Sequence, residues 1–120
     1  MRVLLDHCIP KRFGRLLEEH EVSTTFEMGW ASLSNGVLLR KARESFDVFL
    51  TVDQNVQFQQ NLSALPLAVV ILAAPDNRFA TLEPYAASVL QVLGEALACE
   101  MIRVESPGIV IRLSRDEIEV

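Results

Sequence analysis

Val48-Phe49-Leu50-Thr51-Val52-Asp53 is the stretch that decides the fold: an unbroken run of strand-forming residues that ends on a carboxylate. A run without polar alternation fits a strand covered on both faces, as in a parallel sheet. The same pattern opens the chain, where Val3-Leu4-Leu5 runs into Asp6. In an open parallel sheet, ligands gather beyond the carboxyl ends of the strands, where the strand order reverses. Asp6 and Asp53 are therefore expected side by side at the mouth of a crevice.

Working outward, the chain alternates between strand and helix signals. Residues 2–5 read as a buried strand. Pro10 can open a helix, with Phe13, Leu16 and Leu17 at helical spacing to about Glu19. Val22 to Phe26 reads as a second strand. Gly29 and Ser32-Leu33-Ser34-Asn35-Gly36 form a loop, and Ser34 suits the N-cap of the next helix. Val37, Leu38, Ala42 and Phe46 give that helix an apolar stripe, with Arg40, Lys41 and Arg43 on its solvent side. Phe49 to Val52 is the third strand, followed by the polar Gln54 to Asn61, a loop or short helix. Leu67 to Leu72 is the cleanest buried strand. A turn at Ala73 to Arg78 leads to a helix capped by Thr81, with Pro84 in its first turn, running through Leu90, Val92, Leu93 and Leu97. Met101 to Glu105 and Ile109 to Leu113 are joined by Ser106-Pro107-Gly108, which predicts an antiparallel C-terminal hairpin. Such alternation predicts an α/β sandwich around a mainly parallel sheet, with the first strand between the second and third. Residues 1–113 are expected to form one domain and 114–120 a charged tail.

Composition narrows the function. Of the 120 residues, 22% are charged, and the net charge is −5. A chain this acidic is no general nucleic-acid coat. The imbalance is uneven, however: residues 1–60 hold seven Lys/Arg against eight Asp/Glu, and residues 61–120 hold four against eight. Any basic patch belongs to the first half. Lys11, Arg12 and Arg15 follow Asp6 directly and suit RNA phosphates; Arg40, Lys41 and Arg43 form a second cluster. No apolar run is long enough for a secretory leader or a membrane span, so a cytoplasmic protein without membrane contact is expected. The two cysteines, Cys8 and Cys99, read as small buried hydrophobes.

Two carboxylates held close repel unless a proton or a cation sits between them, and one or two suffice for Mg²⁺ when water and substrate phosphate complete the shell. Glu27 follows the second strand and is expected at the same edge. Asn35 and Asn55 could line the site with neutral oxygens. His7 and Cys8 follow Asp6; read as a continued strand, they point to opposite faces and make a poor nucleophilic pair. A phosphorelay receiver is excluded. It needs a second acid at His7, a Ser or Thr at Ala73 or Ala74, and a lysine after the fifth strand, whereas the last lysine is Lys41.

Leu-Leu-Asp at 4–6, Glu-Met-Gly at 27–29 and Thr-Val-Asp-Gln-Asn at 51–55, in that order over residues 1–80, resemble the short bacterial PIN-like proteins. The resemblance implies a three-layer α/β/α sandwich and Mg²⁺- or Mn²⁺-dependent RNA cleavage. It also implies a toxin neutralised by a small antitoxin encoded alongside. Asp6, Asp53 and Glu27 would then be the catalytic and metal-binding acids. The chain departs from the family pattern at His7, Asn35 and Asn55, where further acids usually stand, and each exchange removes a negative charge. A second metal of a two-metal mechanism would lack ligands. The alternative is a catalytically impaired PIN-like module that binds RNA or a protein partner, with Trp30 as an anchor. A homodimer covering exposed apolar surface is a third expectation.

Overall fold

The computed structural model describes residues 1–60, 64–95 and 99–113. Six strands form one sheet: β1 (Arg2–Leu5), β2 (Glu21–Thr24), β3 (Val48–Thr51), β4 (Ala68–Leu72), β5 (Met101–Ser106) and β6 (Ile109–Leu113). Their spatial order is β2-β1-β3-β4-β5-β6. The first five strands run parallel, and β6 returns antiparallel to β5. The chain is thus an α/β protein with a mainly parallel sheet and a C-terminal hairpin. β1 lies between β2 and β3, so the strand order reverses around it, as expected.

The unbroken apolar runs are explained by what covers the sheet. Successive side chains of a strand face opposite sides. Val3, Leu5, Val48, Leu50, Val70, Leu72 and Ile102 pack on one side with Phe13, Leu17, Leu82, Val89 and Val92. Leu4, Phe49, Val69, Ile71 and Met101 pack on the other with Leu38, Leu39, Ala42 and Val56. Two cores on the two faces make three layers. The helices of the second face are α1 (Asn35–Ala42) and α2 (Val56–Gln59). The first face is covered by a 3₁₀ helix at Lys11–Leu17, by α3 (Phe79–Leu82) with a 3₁₀ turn at Glu83–Tyr85, and by α4 (Ala86–Leu93). Removing a large buried side chain from either core, such as Phe49, would cost about 3–5 kcal/mol.

Several boundaries differ from the sequence expectation, each for a local reason. The helix after Pro10 is a 3₁₀ helix, wound tightly against the β1–β2 pair. Gly14 permits this: a Cβ there would lie 3.0 Å from Val22 Cγ1 and 3.3 Å from Leu5 Cδ1. β2 ends at Thr24, so Thr25 and Phe26 lie in the following turn. Val37 is exposed, and Leu39 takes its place in the apolar stripe. Ser34 stands at the N-cap of α1 without a side-chain cap hydrogen bond. Thr81 lies inside α3, whose N-cap is Arg78, because Asp76 Oδ1 accepts the Arg78 N–H and starts the turn earlier. At the hairpin, Gly108 takes φ +87°, and its N–H donates to Ser88 Oγ at 2.8 Å, tying the turn to α4. Leu97 and the tail 114–120 lie outside the described residues. Among the described residues no helix is long and apolar enough to cross a membrane.

Candidate functional site

Parallel pairing of β1 with β3 puts Leu5 opposite Leu50, and the Asp6 N–H continues the ladder to the Leu50 carbonyl at 2.9 Å. Asp6 therefore leaves the sheet beside Thr51, the last residue of β3. The Thr51 hydroxyl donates to Asp6 Oδ2 at 2.7 Å. The same hydroxyl accepts the Asp53 N–H at 3.0 Å. The two strand-end aspartates are thus joined through one threonine. Asp53 Oδ1 in turn accepts the Asn55 N–H at 3.0 Å and starts α2.

Asp6 is 5% exposed. A buried carboxylate needs donors, and this one collects them. Besides Thr51, Oδ1 accepts the His7 N–H at 2.8 Å and faces His7 Nδ1 at 3.0 Å. The Cys8 thiol donates to Oδ2 at 3.5 Å. The chain turns immediately after Asp6, so His7 and Cys8 both bend back onto its carboxylate; the strand alternation read from the sequence does not extend to them. Burial above all, together with the Asp6 charge, pushes the Cys8 thiol above its ordinary value, against a hydrogen bond at Val52 that lowers it. A thiol held protonated is a poor nucleophile. Asn77, in the turn that follows β4, donates from Nδ2 to the Cys8 carbonyl at 2.9 Å and holds the Asp6 turn from the β4 side.

Glu27 follows β2, the strand on the other flank of Asp6, at the same carboxyl edge of the sheet. Its backbone N–H donates to Thr24 Oγ1 at 3.0 Å. Two neighbouring clefts meet there. One, of about 310 Å³, is lined by Lys11, Arg15, Glu18, His20, Thr24 and Glu27, with Gly14 and Val22 at its base. The other, of about 580 Å³, is lined by His7, Ile9, Pro10, Lys11, Thr24, Phe26 and Glu27. Neither is lined by Asp6 or Asp53. Phe26 is 81% exposed beside the larger cleft. Lys11, Arg15 and Glu27 are exposed and enter no ion pair among the described residues.

The remaining expected residues separate from both places. Arg12 lies over the Phe79 ring, 4.1 Å from its centroid, and braces the 3₁₀ helix against α3. Asn35 Nδ2 donates to Gln59 Oε1 at 3.1 Å and links α1 to α2. Asn55 takes part in the Asp53 turn through its backbone. Trp30, partly buried, packs edge-on against Phe46 at 6.0 Å between centroids, at the margin of the core on the α1 face. Arg103, unremarked in the sequence, donates to Gln54 at 2.7 Å and Gln57 at 3.2 Å, and so fixes the segment that carries Asp53.

A divalent cation needs carboxylate oxygens open to it. Both Asp6 oxygens already accept hydrogen bonds, and Glu27 lines clefts that reach Asp6 only through its neighbour His7. Among the described residues no three or more His, Cys, Asp or Glu side chains gather in one place, whereas a pair of carboxylates such as Asp6 and Asp53 is enough for Mg²⁺ when water and phosphate complete the shell. Asp6 and Asp53 thus stand at adjacent strand ends joined through Thr51, and Glu27 follows β2 on the other flank of β1. Set against protein-family models, curated proteins and solved structures, the chain matches none of them. The functional reading therefore rests on the geometry of this site.

Proposed function

We propose that this chain is a PIN-like module that binds single-stranded RNA, with an acidic crevice depleted for catalysis. One observation carries the reading: Lys11 and Arg15 line adjoining clefts beside the exposed ring of Phe26. Single-stranded RNA is held by cations that track its phosphates and by aromatic side chains on which unpaired bases stack. A second exposed basic cluster, Arg40, Lys41 and Arg43, lies on α1 and its C-cap, but no aromatic side chain is as exposed there as Phe26 is beside these clefts. Fluorescence anisotropy with a short labelled oligoribonucleotide in EDTA tests it. Binding should weaken with salt, with a log–log slope of about −0.7 per phosphate contact. The double variant Lys11→Ala/Arg15→Ala should lose affinity and flatten that slope by about 1.4. No binding, or binding unchanged in the double variant, would overturn the proposal.

A second reading is the metal-dependent ribonuclease, a toxin that a small antitoxin protein neutralises. It is favoured by the placement of Asp6 and Asp53 at the ends of adjacent strands, joined through Thr51. That pair would hold Mg²⁺ or Mn²⁺ with waters and substrate phosphate completing the shell. Asp53→Asn is the cleaner variant, since Asp6 also holds structure together. RNA cleavage in Mn²⁺ that Asp53→Asn abolishes would support this reading; no cleavage, or cleavage indifferent to the substitution, would end it.

A further inference from the structure

The larger cleft holds one group that a phosphate-binding site does not call for. Glu27 shares this cleft with Lys11, the one Lys or Arg of its lining and the group that would take an RNA phosphate, yet the two form no ion pair. A carboxylate in the path of a polyanion is unfavourable unless it accepts hydrogen bonds from the ligand itself. Glu27 is placed to do so. Its backbone is held by the Thr24 hydroxyl, and the next turn closes at Gly29 with φ +74°. Phe26, its immediate neighbour, presents an exposed ring on the same cleft.

An ionised carboxylate is acceptor-only and offers two oxygens side by side. Among the four bases, only guanine presents two adjacent donors on one edge, N1–H and the N2 amino group. Adenine and cytosine each set one amino group beside a ring-nitrogen acceptor. Uracil sets its single N–H between two carbonyls. An acceptor pair therefore meets two donors in guanine and at least one opposing lone pair in every other base.

From this we infer that the larger cleft is a guanine-selective base subsite, in which Phe26 stacks the base and Glu27 accepts from its Watson–Crick edge, while Lys11 takes the adjoining phosphate. At about 580 Å³ the cleft falls within the usual range of small-ligand sites. The inference rests on the RNA-binding reading and adds the identity of the base.

The test measures affinities for short oligouridylates carrying one central guanosine, inosine, adenosine or cytidine, in EDTA. The guanosine probe should bind roughly 5- to 150-fold tighter than the adenosine and cytidine probes, as one bidentate pair provides. Inosine, which lacks the amino group, should fall between. Glu27→Gln replaces one acceptor by a donor, so it should abolish the guanine preference while oligouridylate binding persists. Phe26→Ala should weaken all probes alike. Equal affinity for every base, with RNA still bound, would overturn the guanine subsite and leave the RNA-binding reading standing. A preference that survives Glu27→Gln would overturn the role of Glu27. No RNA bound at all would remove both.

Discussion

Asp6 and Glu27 follow neighbouring strands of one sheet, yet the protein uses them in opposite ways. Asp6 is 5% exposed and accepts from Thr51, His7 and Cys8. Glu27 is exposed and joins no ion pair among the described residues. The contrast separates two meanings of an acidic residue at a strand end. A buried carboxylate has to be saturated by the protein, and so becomes part of the scaffold. An exposed one keeps its hydrogen-bonding capacity for a ligand.

The contrast breaks most readily at Asp6. Asp6→Ala strands the Thr51 hydroxyl and the His7 amide, and should lower unfolding free energy by about 2–4 kcal/mol. Urea denaturation measures it; a loss below ~0.5 kcal/mol would mean that the network contributes nothing. Thr25 provides the opposite case on the same rim. Its Oγ1 is buried without a protein partner. Thr25→Val keeps the shape and removes the stranded group, so it should be neutral or stabilising by up to ~1 kcal/mol. A clear loss in the melting curve would show that the hydroxyl is satisfied.

Asp47, at the other end of β1 and β3, lies between these extremes. Its Oδ2 accepts the Arg2 backbone N–H at 2.7 Å, and that bond lowers its carboxyl below the ordinary 3.8. A lowered pKa means that the ionised form favours the fold. The contribution is complete above the ordinary value and is lost as pH falls through the lowered one. Its side chain is 42% exposed, so solvent screening keeps the effect below about 1 kcal/mol. Asp47→Asn should flatten that part of the acid limb, as read from urea midpoints between neutral pH and pH 3. Glu27→Gln should change stability least, within about 0.5 kcal/mol, because nothing in the fold depends on its charge. A larger loss in urea would move Glu27 to the scaffold side of the comparison.

Much of the fold was legible because strands and helices carry local signals. Val48–Thr51 and Ala68–Leu72 read as buried strands since each is apolar on both faces, and each has a core on both sides. Pro107-Gly108 announced the hairpin because few residues adopt φ +87°. The 3₁₀ form of Lys11–Leu17 was not legible: helical apolar spacing does not separate a 3₁₀ from an α winding, and the close approach of Gly14 to Val22 and Leu5 is a tertiary contact. Val37 and Thr81 misled for the same reason: burial and capping are settled by what lies opposite. At the site, Asp6 and Asp53 were placed correctly at neighbouring strand ends, but the saturation of Asp6 was hidden. It depends on Thr51, which reads in the sequence as one more strand residue. Glu27 was read at the same carboxyl edge, and it follows β2 there; its place in a cleft with Lys11 was hidden, because spacing along the chain does not give the side-chain neighbours across a cleft.

The sequence by itself determined the alternation of elements, the apolar runs that make a two-sided sheet, and the carboxylates at the strand ends. These follow from side-chain chemistry and backbone preference over a few residues at a time. Only the tertiary structure decided which acids meet which partners. Pairing β1 between β2 and β3 brought Thr51 against Asp6 across 45 residues of chain. It left Glu27 with Lys11 and Arg15 at the opposite side of β1. The physical reason is that a hydrogen bond or a cleft needs groups within a few ångströms, and strand order is set by the packing of the whole core.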